Sequence, residues 1–198
     1  MKKYSWLILL LLFQAPAFSQ KVNNIYYEET GNLKETYAFK VKRGDTVRTG
    51  NYRFYYPDGT LQQEGQYLKG MLNGEWKLYY PGGNLKQVLP YNNGLLSGTM
   101  RSFNPDGSLL QVASYSNDLL NGTVVNYYSN NQVAEEASYT NGILDGKVMT
   151  WYEDGKIRFL KYYSEGLEDG KQVYYYENGN IREESYKKDG LYDGEFRG

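Results

Sequence analysis

The stretch from Tyr79 to Ser102, YYPGGNLKQVLPYNNGLLSGTMRS, holds one complete unit of this chain. Pro81-Gly82-Gly83-Asn84 reads as a tight turn and Leu85 to Tyr91 as a strand. Asn92-Asn93-Gly94 through Gly98 reads as a longer turn, and Thr99 starts the next strand. Just upstream, the alternation of Trp76 to Tyr80 predicts residues 76, 78 and 80 on one face and Lys77 and Tyr79 on the other. The returning strand predicts a shared face for Leu85, Gln87, Leu89 and Tyr91, repeated one unit later by Leu109, Gln111, Ala113 and Tyr115. Each long turn adds an apolar plug, at Leu72, Leu96, Leu120 and Leu144.

Outward from this unit the pattern recurs in one frame. Paired residues stand at Tyr55-Tyr56, Tyr79-Tyr80, Phe103-Asn104, Tyr127-Tyr128, Trp151-Tyr152 and Tyr175-Tyr176, each 24 residues after the last. A turn glycine follows at Gly59, Gly83, Gly107, Gly155 and Gly179, with Asn131 in the remaining slot, where asparagine best tolerates a left-handed backbone. Two further series keep the spacing: Gly74 through Gly194, and Gly70 through Gly190 with Asp118 in one gap. The first unit departs, because Gly31 to Gly59 spans 28 residues, with the surplus in Val41 to Thr49 (VKRGDTVRT). A longer hairpin in a capping unit is expected there. The last unit carries Lys187 where Tyr139 and Tyr163 lead one to expect an aromatic, and its tyrosine stands at Tyr186.

These signals predict an all-β, elongated single-sheet solenoid of seven tandem antiparallel β-hairpins. We divide it into a leader at 1–19, an atypical N-terminal capping repeat at 20–54 and six 24-residue repeats at 55–198. With two strands per unit, the array should form a ribbon of roughly 65 to 70 Å. Lys2 and Lys3, the apolar run Trp6 to Phe13 and the small residues Ala17 and Ser19 form a signal-peptide pattern, with mature chain expected from Gln20. The apolar run is too short to span a bilayer, so no membrane span is expected in the mature chain. A periplasmic or secreted location follows, and without cysteine there is neither a disulfide framework nor a lipid-acceptor thiol.

The composition excludes several functions. Removing residues 1–19 leaves 20 basic and 23 acidic residues, intermixed, which argues against nucleic acid as a partner. With neither His nor Cys, the commonest general base, thiol nucleophile and zinc ligands are missing, so no catalytic residue, cofactor or metal site is expected and the chain reads as a non-enzyme. Adjacent carboxylates at Glu28-Glu29, Glu135-Glu136 and Glu183-Glu184 would point to opposite faces of a strand and not share a proton. Asp58, Asp106, Asp145, Asp154, Asp169 and Asp193 sit near turn glycines without the spacing of a calcium loop, and read as turn formers.

The candidate binding residues are the aromatic column Tyr55, Tyr79, Phe103, Tyr127, Trp151 and Tyr175, with Arg53, Lys77 and Arg101 beside it. Such a column serves either as the hydrophobic layer of the sheet or as the lining of a groove for a peptide, a glycan or another sheet. The neighbouring column changes from Arg53, Lys77 and Arg101 to Val125, Met149 and Val173. That irregularity suits a protein partner better than a repetitive polymer, and open sheet edges invite pairing with a partner strand. Replacing the three basic residues by Glu should then weaken partner capture in a salt-dependent way.

Units such as Trp151-Tyr152-Glu153-Asp154-Gly155-Lys156-Ile157, continuing to Gly166 and Asp169-Gly170-Lys171, resemble the MORN-repeat variant of bacteria. Tyr175-Tyr176-Glu177-Asn178-Gly179-Asn180-Ile181 shares the resemblance, which extends over about Tyr26 to Gly198. It implies a scaffold or adaptor that binds protein in the cell envelope; proteins of this kind are often labelled the antitoxin component of a toxin–antitoxin pair, and an immunity-type binder is a further alternative. A carbohydrate or cell-wall ligand is the other reading, since short aromatic–glycine repeats also resemble choline- and glucan-binding repeats, which are richer in Trp.

Overall fold

The computed structural model describes residues 20–194 and 196–198; the leader expected at 1–19 lies outside them. The described residues form one 17-stranded sheet. Its first strands are β1 (Lys21–Tyr26), β2 (Leu33–Lys42), β3 (Asp45–Tyr55), β4 (Leu61–Leu68), β5 (Met71–Tyr79) and β6 (Leu85–Asn92). The middle comprises β7 (Leu95–Leu96), β8 (Gly98–Phe103), β9 (Leu109–Ser116), β10 (Leu119–Tyr127), β11 (Val133–Thr140), β12 (Ile143–Trp151) and β13 (Ile157–Ser164). The sheet ends with β14 (Leu167–Glu168), β15 (Gly170–Tyr175), β16 (Ile181–Lys188) and β17 (Leu191–Tyr192). It is an antiparallel meander in which β7 and β8 are two parts of one strand against β6, as are β14 and β15 against β13.

Seven hairpins close through tight turns among the described residues, and each carries a register irregularity at the aromatic position. Phe54/Tyr55, Leu78/Tyr79 and Thr150/Trp151 are examples. This irregularity corrects the simple alternation expected near the turn. Leu78 lies opposite Gln87, but Tyr79 lies opposite Leu85, so Leu85 drops out of the face shared by Gln87, Leu89 and Tyr91. Tyr80 has left the strand altogether; its N–H donates to the Asn84 carbonyl, and the Gly83 N–H returns to the Tyr80 carbonyl, both at 2.8 Å. Asn131 takes the glycine slot with φ of 64°. The surplus of the first unit extends the β2–β3 hairpin, which turns at Arg43 and Gly44, both at positive φ. A further aromatic pair, Tyr26-Tyr27, sits outside the 24-residue frame and closes the first hairpin.

The buried layer is a column lying three residues before the aromatic one. Tyr52, Trp76, Met100, Val124, Val148 and Gln172 are all buried, each two residues after a glycine of the Gly50 to Gly170 series. They face Gly65, Leu89, Ala113, Ala137, Lys161 and Ser185 on the returning strands. Size is matched across this seam: a Cβ at Gly65 would lie 2.2 Å from the Trp76 ring, so only glycine fits beneath the indole. Tyr67, Tyr91, Tyr115 and Tyr139 lean over the same column and pair with the plugs Leu72, Leu96, Leu120 and Leu144. A single sheet has no second layer, so side chains of neighbouring hairpins must cover one another, which contributes about 1.5 to 3 kcal/mol per fully buried large apolar side chain.

Both margins of the sheet are stitched from one repeat to the next. At the tight-turn margin the second residue of each tyrosine pair donates its hydroxyl to the backbone carbonyl of the next aromatic position. Tyr27 reaches Tyr55, Tyr56 reaches Tyr79, Tyr80 reaches Phe103, Tyr128 reaches Trp151 and Tyr152 reaches Tyr175, at 2.7 to 3.0 Å. At the long-turn margin the N–H groups of Gly70, Gly94, Asp118, Gly142, Gly166 and Gly190 donate to the carbonyls of Arg48, Leu72, Leu96, Leu120, Leu144 and Glu168.

Candidate interaction face

Alternation sends the neighbours of the buried column to the other side of the sheet, and the register turns them into a continuous row. Arg53 lies opposite Glu64, Glu64 opposite Lys77, Lys77 opposite Val88 and Val88 opposite Arg101. The row continues through Val112, Val125, Glu136, Met149, Leu160 and Val173 to Glu184. It is therefore mostly charged from Arg53 to Arg101 and mostly apolar beyond, with Glu136 and Glu184 interrupting and ending the apolar part. Val88 and Val173 are buried, which leaves Val112, Val125, Met149 and Leu160 as its half-exposed apolar members.

The expected basic end is less basic than the sequence column suggested, because Glu64 on the returning strand β4 and Glu75 on the strand of Lys77 bring acids into it. Arg53 Nε lies 3.3 Å from a Glu64 oxygen, and Arg101 pairs with Glu75 at 3.5 Å. Lys77 makes no ion pair among the described residues. The other Glu64 oxygen accepts the Tyr79 hydroxyl at 2.9 Å. Burial, and then this hydrogen bond to a carboxylate, push the Tyr79 phenol up to about 12. Asn51, Arg53, Glu64, Gln66, Glu75 and Lys77 line a depression of about 330 Å³ in which both signs of charge are presented.

All six members of the aromatic column are half-buried. Tyr55 and Tyr79 stand two residues beyond Arg53 and Lys77, beside the row, so the column borders the face and is not the core of the sheet. The carboxylate pairs also resolve into separate environments. Glu136 meets Lys147 at 3.3 Å and Glu184 meets Lys171 at 3.0 Å, while Glu135 accepts from Asn126. Glu28 and Glu29, expected on a strand, lie in the first tight turn. Asp58, Asp106 and Asp154 each accept a hydrogen bond from the side chain of the residue two ahead, Thr60, Ser108 or Lys156, and also from its N–H at 2.8 to 3.0 Å, and these bonds, the side-chain ones first, hold their carboxyls below the usual range. Among the described residues no three of His, Cys, Asp and Glu are grouped to hold a metal ion, and no helix is long and apolar enough to cross a membrane.

Two functional columns escaped the sequence reading. The second tyrosine of each pair is the inter-repeat clamp, detectable as a hydroxyl-bearing residue that keeps the 24-residue spacing. The residue before each plug is also always aliphatic: Met71, Leu95, Leu119, Ile143, Leu167 and Leu191 are 40 to 75 % exposed. Its signal was the same spacing, hidden by the leucine next to it.

No curated protein matches the chain. The model of the MORN repeat variant family matches residues 48–69, 72–93, 96–117, 120–141, 144–165 and 168–188, each unit beginning at the long-turn plug position or its equivalent. With six consecutive units covering most of the sequence, in register with the hairpins of the sheet, the chain belongs to the MORN repeat variant family.

Proposed function

We propose that this protein is a non-catalytic interaction scaffold or adaptor of the bacterial cell envelope, binding another protein through the row from Arg53 to Val173 and the aromatic column beside it. One observation supports this reading most. Most of the side chains that hold hairpin to hairpin lie on the opposite face and at the two margins, and within the row only Val88 and Val173 are buried, so its other positions can vary from unit to unit. It changes from a mixed-charge depression to a half-exposed apolar strip, an irregular surface of the kind a folded partner matches. The leader pattern at 1–19 supports export to the periplasm or beyond.

The test is affinity capture by the mature chain, tagged at its carboxyl end, from the envelope fraction of its own organism, followed by mass spectrometry. A stoichiometric protein released on disrupting the row is the expected result. The half-exposed aromatic column supports a second reading, a carbohydrate or cell-wall ligand. Retention on purified wall polysaccharide with no protein partner would replace the first reading with that one.

A further inference from the structure

The long-turn margin carries a second surface, separate from the row. Its exposed aliphatic residues, Met71, Leu95, Leu119, Ile143, Leu167 and Leu191, follow one another about 10 Å apart, two strands per step. Isolated exposed leucines need no explanation, but six in line form a continuous apolar ridge of the kind that marks an interaction site.

The apex residue of each long turn is exposed, with a positive φ of 48 to 54° at all seven turns; six of them lie beside this ridge, and Arg43 tips the longer β2–β3 hairpin two residues further out. Such a conformation favours Asn or Gly, and the three central turns do carry Asn93, Asn117 and Asn141. The outer turns do not. Arg43 and Lys69 occupy the first two, and Glu165 and Asp189 the last two, so at three of these four turns a long side chain is kept at a backbone position that disfavours it. The order along the margin is positive, positive, three neutral, negative, negative.

That order is antisymmetric about Asn117, and this identifies the occupant. We propose that the ridge is the interface with a second copy of this chain, related by a two-fold axis near Asn117 and running antiparallel. Rotation about that axis places Lys69 against Glu165 of the second copy and Arg43 against Asp189, while Asn93 meets Asn141 and the aliphatic ridge meets itself. A two-fold contact requires one patch to complement its own reverse, and this margin does so in both apolar content and charge. Among the other charges nearby, Lys42 and Asp45, of opposite sign, stand opposite each other beside the first turn. Asp118, next to the axis, folds back to accept the Leu96 N–H at 2.6 Å, and Lys188 is paired with Asp169 at 2.6 Å. A parallel arrangement would set like charges against each other at both ends. The surface is distinct from the row, so the scaffold would present two partner-binding faces per assembly.

The experiment is sedimentation equilibrium of the mature chain at low and high salt, with charge-reversal variants. The unaltered chain is expected to dimerise, more weakly as salt screens the end charges. Lys69→Glu alone and Glu165→Lys alone should each weaken the dimer about tenfold, because each creates two like-charge contacts. An equimolar mixture of the two variants should recover the original affinity as a heterodimer, since every contact is then again between opposite charges. Leu119→Asp, at an already exposed position, should give monomer with an unchanged circular-dichroism spectrum. A chain that stays monomeric at every concentration would overturn the proposal, whether or not its ridge captures lipid vesicles or another protein. So would a dimer in which the mixture is no tighter than either variant alone.

Discussion

The two ends of the sheet place different chemistry at identical positions. Toward the amino end the buried column is aromatic. Trp76 is 1 % exposed, with Tyr52, Tyr67 and Tyr91 packed around its ring at 5.1 to 6.4 Å between centroids. The plug position there is Arg48, which bonds Glu35 at 2.8 Å and lies 4.6 Å from the centre of the Tyr37 ring. Toward the carboxyl end the same column holds Gln172 and the opposing position Ser185, each 1 % exposed, and the plug is Glu168, held by Lys161 at 2.6 Å and Lys187 at 2.5 Å. Lys187 stands where earlier units carry a tyrosine; its strand partner is Tyr192, and its ion pair reaches back to Glu168 of the preceding unit. Buried oxygens of Thr150 and Gln172 lack hydrogen-bond partners. The glycine turns and most backbone stitches are nevertheless the same at both ends. The frame is carried by turns and margins, and its filling can therefore drift from aromatic through aliphatic to polar without changing the fold.

The comparison is broken most severely at Trp76. Trp76→Ala should lower the unfolding free energy by about 3 to 5 kcal/mol, because Gly65 beneath the indole has no side chain with which to fill the void. Urea unfolding checks this, and a loss below about 1 kcal/mol would mean that the amino end does not rest on its aromatic column. A middle-sized effect is expected at the other end. Glu168→Gln leaves two half-buried lysines without their shared carboxylate and should cost about 1 to 3 kcal/mol at neutral pH.

The two ends should also differ in their response to pH. Burial raises the Glu168 carboxyl, but its bonds to Lys161 and Lys187 outweigh burial and leave it lowered. Its contribution is present above the ordinary carboxylate range and is lost as pH falls through the lowered value, so Glu168→Gln should flatten the acid limb of a stability–pH curve. At the amino end burial, and then the nearby Glu35 charge, raise the Tyr52 phenol from its ordinary 10.0 to about 12. That contribution is complete below pH 10 and is lost as pH rises toward 12, so Tyr52→Phe should soften the alkaline limb instead.

The smallest expected effect sharpens the account of the margins. Tyr152→Phe removes one hydroxyl clamp onto the Tyr175 carbonyl and should cost about 0.5 to 1.5 kcal/mol. Hydrogen exchange should show that loss concentrated between β12 and β15. Uniform acceleration along the sheet would contradict a local stitch.

Much of this was legible because the repeat frame is written in glycines. Gly83, Gly94 and Gly98 mark turns whose backbone only glycine or asparagine adopts easily, and Asn131 was readable as a substitute on the same ground. The buried column was harder to see. Its members range from Trp76 to Gln172, so no residue type advertises it, whereas the uniform aromatic column three residues later drew attention. The irregularity at Leu78/Tyr79 was invisible for a related reason: strict alternation assigns Tyr80 to a face, yet its role is to reach the Phe103 carbonyl one repeat away. Glu64 entered the basic end through strand register, which a column read at 24-residue steps omits, whereas Glu75 stands two residues before Lys77 on the same strand and could have been read from alternation.

We propose a division of labour in which the buried column and margins hold the sheet and the row from Arg53 to Val173 meets a partner. The most direct measurement compares partner capture and thermal unfolding for Arg53→Ala, Lys77→Ala and Arg101→Ala combined, with alanine chosen because glutamate would add repulsion from Glu64 and Glu75. The account predicts that capture is lost while the melting temperature stays within about 4 °C of the unaltered chain. Undiminished capture by a fully folded variant would contradict it.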